Sequence, residues 1–91
     1  MKITCMKWDD SNITHIACHN IDPDELEEAV FDYPGVWEHG RSGRYYLLSR
    51  SLSGRYIFAV FEYLKSGLAR PITARDMTDA EKRRYEKRCG K

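Results

Sequence analysis

Two groups of side chains in this 91-residue sequence are suited to chemistry. The first is a set of arginines, Arg44, Arg50, Arg55 and Arg75, placed at the ends of stretches that alternate apolar and polar residues. Side chains on a strand alternate faces, so Arg44, Tyr46, Leu48 and Arg50 fall on one side of an extended segment. Arg55 opens the next alternating stretch and Arg75 closes the last. Hairpin pairing can therefore gather these arginines on one sheet face. A guanidinium fork grips a phosphate through two parallel hydrogen bonds, where a lysine offers a compact point charge.

The second group is His15 and His19. Their spacing of four puts both on one face of a helix. An imidazole titrates near neutral pH, which suits a general acid or base. Two such histidines also occur in helical zinc sites. The usual motif, however, sets Glu directly after the first His, and Ile16 stands there instead. No third ligand is evident, so no metal and no cofactor are expected. The ordinary alternative is that one His fixes the helix through a local hydrogen bond.

Together these groups match the needs of metal-free RNA cleavage. A base must activate the 2′-hydroxyl, fixed cations must stabilise the pentavalent phosphorane, and an acid must protonate the leaving 5′-oxygen. Arginine fills the second role. His15, His19 or a tyrosine is available for the others, with no assignment of which is base and which is acid. Tyr45, Tyr46 and Tyr56 lie among the basic strands, where they can stack on bases or simply pack.

Capping signals and periodicity give the elements that must hold these groups. Residues 2–8 read as a short strand. Asp9 or Asp10 caps a helix over roughly residues 10–19, with Ile13, Ile16 and Ala17 at helical spacing. Asn20 closes it as a residue tolerant of the left-handed region. Asp22, Pro23 and Glu25 suit an N-cap, a first helical position and a capping box, and predict a second helix to about Phe31. Tyr33-Pro34-Gly35 ends that helix.

From Val36 the period becomes two. Strands are predicted near Val36–Glu38 and over Arg44–Arg50, Arg55–Leu64 and Leu68–Ala74. Turns fall at Arg41–Gly43, Ser51–Gly54 and Lys65–Gly67. Pro71 lacks a ladder donor, so the last strand should be at an edge or bulged there. Thr78 and Glu81 form a second capping box, opening a polar helix to about Cys89 with Gly90 just past its end. Helices followed by a run of strands predict an α+β fold: a short N-terminal strand, two helices, an antiparallel sheet of three to four strands and a C-terminal helix.

Length fits one domain over residues 1–91. A hydrophobic fraction of 42% and 12% aromatics are enough for a core, which excludes wholesale disorder. The net charge of +1 hides an asymmetry. Residues 1–39 hold nine carboxylates against Lys2 and Lys7, and residues 40–91 hold thirteen Lys or Arg against five carboxylates. Kept apart in the fold, these halves would give one polyanion-binding side. The last helix carries Lys82, Arg83, Arg84, Lys87 and Arg88 and reads as a solvated face, with docking to an acidic partner or RNA as the competing reading. Three cysteines without close spacing predict neither a disulfide framework nor a zinc knuckle. No leader is read in residues 1–8 and no apolar run approaches membrane length, so a cytoplasmic protein without membrane contact is expected. A glycine-rich phosphate loop, a serine elbow and a CxxC pair are all missing, which removes nucleotide-dependent, acyl-transfer and thiol-redox chemistry.

Trp8-Asp9-Asp10, Asn12, His15-Ile16, His19, Ile21 and Glu25–Ala29 resemble the N-terminal signature of the BrnT-type toxins. Arg44-Tyr45-Tyr46, Gly54-Arg55, Arg70-Pro71-Ile72-Thr73-Ala74-Arg75, Thr78, Glu81 and Tyr85 look like the rest of it, so the resemblance spans nearly the whole chain in order. The sequence departs from that pattern in a short segment before Arg44 and in Pro71. The resemblance implies a toxin of a type II toxin–antitoxin system with the fold of the RelE ribonuclease group and metal-independent endoribonuclease activity. The partners it implies are an RNA substrate and a BrnA-like ribbon-helix-helix antitoxin, in a homodimer or a toxin–antitoxin hetero-oligomer. Carried over by position, the candidate catalytic residues are His15, His19, Arg44, Arg50, Arg55, Arg75 and Tyr85. The alternative is a non-catalytic relative that binds an antitoxin or RNA.

Overall fold

The computed structural model describes residues 3–89, which are organised by one five-stranded sheet. In chain order the elements are β1 (Cys5–Met6), α1 (Asp10–Ala17), α2 (Pro23–Phe31), β2 (Val36–His39), β3 (Tyr45–Arg50), β4 (Tyr56–Lys65), β5 (Leu68–Asp76) and α3 (Asp79–Arg88). The spatial order is β1-β5-β4-β3-β2. Strands β2 to β5 form the expected antiparallel run. The short β1 adds to the outer side of β5 in parallel, which makes the sheet mixed within an α+β fold. Parallel neighbours need a long connection, and here everything from α1 to β4 lies between them.

Alternation along the central strands builds two cores. On one face Leu47, Ile57, Ala59, Phe61, Ala69 and Ala74 meet Ile16 of α1 and Leu26 and Ala29 of α2. On the other, Leu48, Phe58 and Val36 meet Met77 and Tyr85, with α3 across them. The last helix is therefore more than a solvated face: Tyr85 is only 6% exposed. No helix among the described residues is long and apolar enough to cross a membrane.

The caps act largely as their chemistry predicts. Asp9 is the N-cap of α1, and its side chain accepts from the Asn12 amide. Asn20 sits at φ 60°, in the left-handed region. Thr78 and Glu81 form a reciprocal capping box. At α2 the expected box does not close: Asp22 accepts from the Glu25 amide, but the Glu25 carboxylate is taken by Arg55 and Ser51 instead. Pro71 is not at an edge, because β5 lies between β1 and β4. It is accommodated by a register shift in which Val60 pairs Thr73 and Phe61 pairs Pro71.

Asn12 ties α1 to the sheet. It is 2% exposed, and its Nδ2 donates to the carbonyls of Lys7 at 3.0 Å and Pro71 at 3.1 Å. Its Oδ1 accepts from the Asp9 amide at 2.9 Å. Asn12→Ala strands three backbone groups, each worth about 0.5–1.5 kcal/mol, so a loss of about 2–4 kcal/mol is expected in urea unfolding. A loss below about 0.5 kcal/mol would show that this clamp contributes nothing.

The charge asymmetry does not survive folding. Arg55 pairs Glu25, Arg70 pairs Asp9, and Arg84 and Arg88 share Glu38, so first-half carboxylates neutralise second-half arginines. The basic half is stitched to the acidic half rather than displayed as one continuous surface.

Candidate phosphate site

This stitching decides which cations remain available. Among the described residues Arg41, Arg44, Arg50 and Arg83 hold no carboxylate, and of these only Arg50 is drawn partly into the protein. Arg50 ends β3 on the face that carries Tyr46 and Leu48, and its guanidinium stands 4.9 Å from the Tyr56 ring centroid. Its Nε is buried without a hydrogen-bond partner among the described residues. A buried charged donor left unpaired is costly, which makes it a natural point of attachment for an anion.

Arg50 lines a concavity of about 560 Å³ with Arg55, Tyr56, Asp76 and Lys82, where Gly54 and Met77 complete the wall. Lys82 Nζ is 5.4 Å from the same Tyr56 ring. Gly54 sits at φ 88°, a conformation that L side chains rarely adopt. A Cβ there would also stand 3.3 Å from the Arg50 guanidinium. The β3–β4 turn thus brings backbone close to the arginine without a side chain in the way.

Tyr56 and Tyr85 are held neutral. Tyr56 donates to Glu86 at 3.0 Å, and this bond, with some burial, raises its pKa. Burial pushes the Tyr85 phenol up, helped by Cys89. Neither is primed to lose its proton near neutrality. Tyr85 is a core residue packed 5.9 Å from Tyr56 rather than part of the concavity wall.

The other expected residues are dispersed. Arg55 lines the concavity, but Asp76 lies 2.6 Å from its Nε and Glu25 3.2 Å from its Nη1. Arg75 packs over Phe58 at 4.3 Å and forks onto Glu81 at 2.9 and 3.0 Å. Arg44 precedes β3, at the end away from Arg50, and is exposed. His15 and His19 are exposed neighbours with ring centroids 6.0 Å apart. Their link to the site is through backbone: Arg55 donates to the carbonyls of His19 at 2.7 Å and Asn20 at 2.6 Å. Neither imidazole lines the concavity. Among the described residues no cluster of three or more potential ligands could hold a metal.

The sequence matches no protein-family model, and no curated protein matches it.

Lys82 is the wall residue that strand reasoning passed over. A signal for it exists: the Thr78–Glu81 box starts α3 straight after β5, which sets the first turn of that helix beside the start of β4 and Tyr56.

The Arg75–Glu81 fork makes a testable pH response. Burial pushes the Glu81 carboxyl up, but the Arg75 fork and the Thr78 cap outweigh it and hold the pKa below the ordinary glutamate value of 4.5. A lowered folded pKa stabilises above the unfolded value, and that stability is lost as pH falls through the folded one. Glu81→Gln should therefore be less stable than the parent at pH 7, with the gap closing below about pH 4 in urea titrations. A gap constant from pH 7 to pH 3 would exclude the linkage.

Proposed function

We propose that this chain is the toxin component of a type II toxin–antitoxin pair, of the BrnT kind, and cleaves RNA without a metal. In this reading the Arg50–Tyr56–Lys82 concavity seats the scissile phosphate. One observation carries it: among the described residues Arg50 is a partly buried guanidinium without a carboxylate, with an unpaired Nε, in an open concavity that Lys82 also lines. Fixed cations at developing phosphorane charge are the main need of such a reaction. The resemblance of Trp8–Ala29 and Arg44–Tyr85 to BrnT toxins adds the substrate class and a ribbon-helix-helix antitoxin as partner.

A non-catalytic module that binds RNA or an antitoxin is the second reading. What favours it is that no evident base faces the concavity among the described residues: the imidazoles do not line it, and both nearby phenols have raised pKa values. Expression of the chain alone separates the two. The toxin reading expects growth arrest with RNA breakdown that co-expressed antitoxin reverses. Normal growth and intact RNA in the presence of folded protein would sink it and leave the binding module.

A further inference from the structure

A second, smaller pocket lies at the other end of β3 from Arg50. It has a volume of about 240 Å³ and is lined by Trp37, Glu38, His39 and Tyr45. His39 and Tyr45 are opposite each other across the β2–β3 ladder, with ring centroids 5.2 Å apart. Trp37 is two residues along β2 on the same face, its ring 5.4 Å from Phe61, which anchors it in the core. Trp37 and Tyr45 are half-buried and His39 is exposed. Three rings thus border one recess at the open edge of the sheet.

From this arrangement we infer that the recess is a stacking site for one unpaired nucleobase of a single-stranded nucleic acid. The inference rests on the RNA-binding part of the proposed function and is independent of cleavage. Three observations select this ligand. The volume is below the roughly 300–1,000 Å³ of pockets that bury larger ligands, so it suits a single planar ring system. Glu38 brings no free negative charge, because its carboxylate is held by Arg84 at 2.8 Å and Arg88 at 3.1 Å. An aromatic recess whose one carboxylate is already paired selects a neutral π-face over an ammonium group.

The third observation is charge at the rim. Arg44 precedes Tyr45 and Arg41 lies two residues after His39. Both are exposed and hold no carboxylate among the described residues. The rim is fixed, because the Gly40 amide donates to the Arg44 carbonyl at 2.7 Å and the Arg41 amide to the Tyr46 hydroxyl at 3.4 Å. A Cβ on Gly40 would collide with the Tyr46 ring, so the turn is held close against the strand. Arg44 and Arg41 are each within two residues along the chain of the recess-lining Tyr45 and His39, so a strand with one base in the recess runs its flanking phosphates past this basic turn, the pairing of stacking and charge that single-strand binders use.

The test titrates the full chain with a short single-stranded RNA carrying 2-aminopurine and 2′-O-methyl groups, so that binding is read without cleavage. The wild type should quench the 2-aminopurine emission. Tyr45→Ala should weaken binding by about tenfold or more, with the salt slope unchanged. Arg44→Ala, at an exposed position where folding is not at stake, should reduce the salt slope by about 0.7. Binding as tight as wild type in both variants overturns the site, as does equal binding of the same sequence as a duplex. If Arg50-dependent RNA cleavage occurs while these variants bind normally, the proposed function stands and this stacking site falls. Tyr45-dependent binding without cleavage gives the reverse.

Discussion

Arg50→Ala should lower RNA cleavage by about 10²–10³ in single-turnover assays, the usual cost of removing one fixed donor from a developing oxyanion. It should do so with little change in thermal stability. The variant loses a cation–π contact with Tyr56, worth about 0.5–1 kcal/mol at a partly exposed site, but it also removes a buried donor that has no partner. Arg50→Lys keeps the charge and loses the fork, so it should recover only part of the rate. Arg75→Ala makes the contrast. Its guanidinium is committed to Glu81, so its loss should lower the melting temperature more than the chemical step. Should Arg50→Ala cleave at the wild-type rate, the phosphate seat is misplaced, whatever the other variants do.

The second large effect concerns the fold. Phe61→Ala should cost about 3–5 kcal/mol. Phe61 is fully buried in β4, between Tyr45 of β3 and Pro71 of β5, with Trp37 against its ring. A domain of this size has about 5–15 kcal/mol to lose, so a drop in melting temperature of at least about 12 °C is expected. Leu52→Ala is the control, because that side chain is 62% exposed and should shift stability by no more than about 0.5 kcal/mol. Equal melting temperatures for the two variants would mean that β4 is not the spine of the core.

Both predictions turn on how charge and apolar surface are shared between the halves of the chain. Arg55, Arg70, Arg84 and Arg88 serve assembly, since each binds a carboxylate from the acidic half. Mutating them tests stability first. Among the described residues Arg50 at one end of β3, and Arg41 and Arg44 at the other, hold no carboxylate, so the proposed recognition of anions would fall to them and to Lys82.

Local patterns in the sequence determined the elements. Asp9, Asp22 and Thr78 start the helices because a side-chain oxygen can satisfy an orphan amide whatever lies around it. The switch from helical to alternating period at Val36 set the strands, since each period commits side chains to faces of its own backbone. Pro71 announced an edge or a bulge because it has no amide to give, and the sheet order decided for the bulge. Faces and partners were another matter. That Arg50 and Arg75 lie under α3 while Arg55 crosses to α2 depends on strand register and on where the helices dock. That Arg50, alone among the arginines, is both partly buried and without a carboxylate among the described residues depends on which carboxylates arrive from distant parts of the chain. Glu25 left its expected capping box for Arg55 for the same reason: a charged partner brought close by tertiary packing outcompetes a local amide. The sequence supplied nine arginines of equal chemistry, and the tertiary structure distinguished them by neutralising some and burying the donor of one.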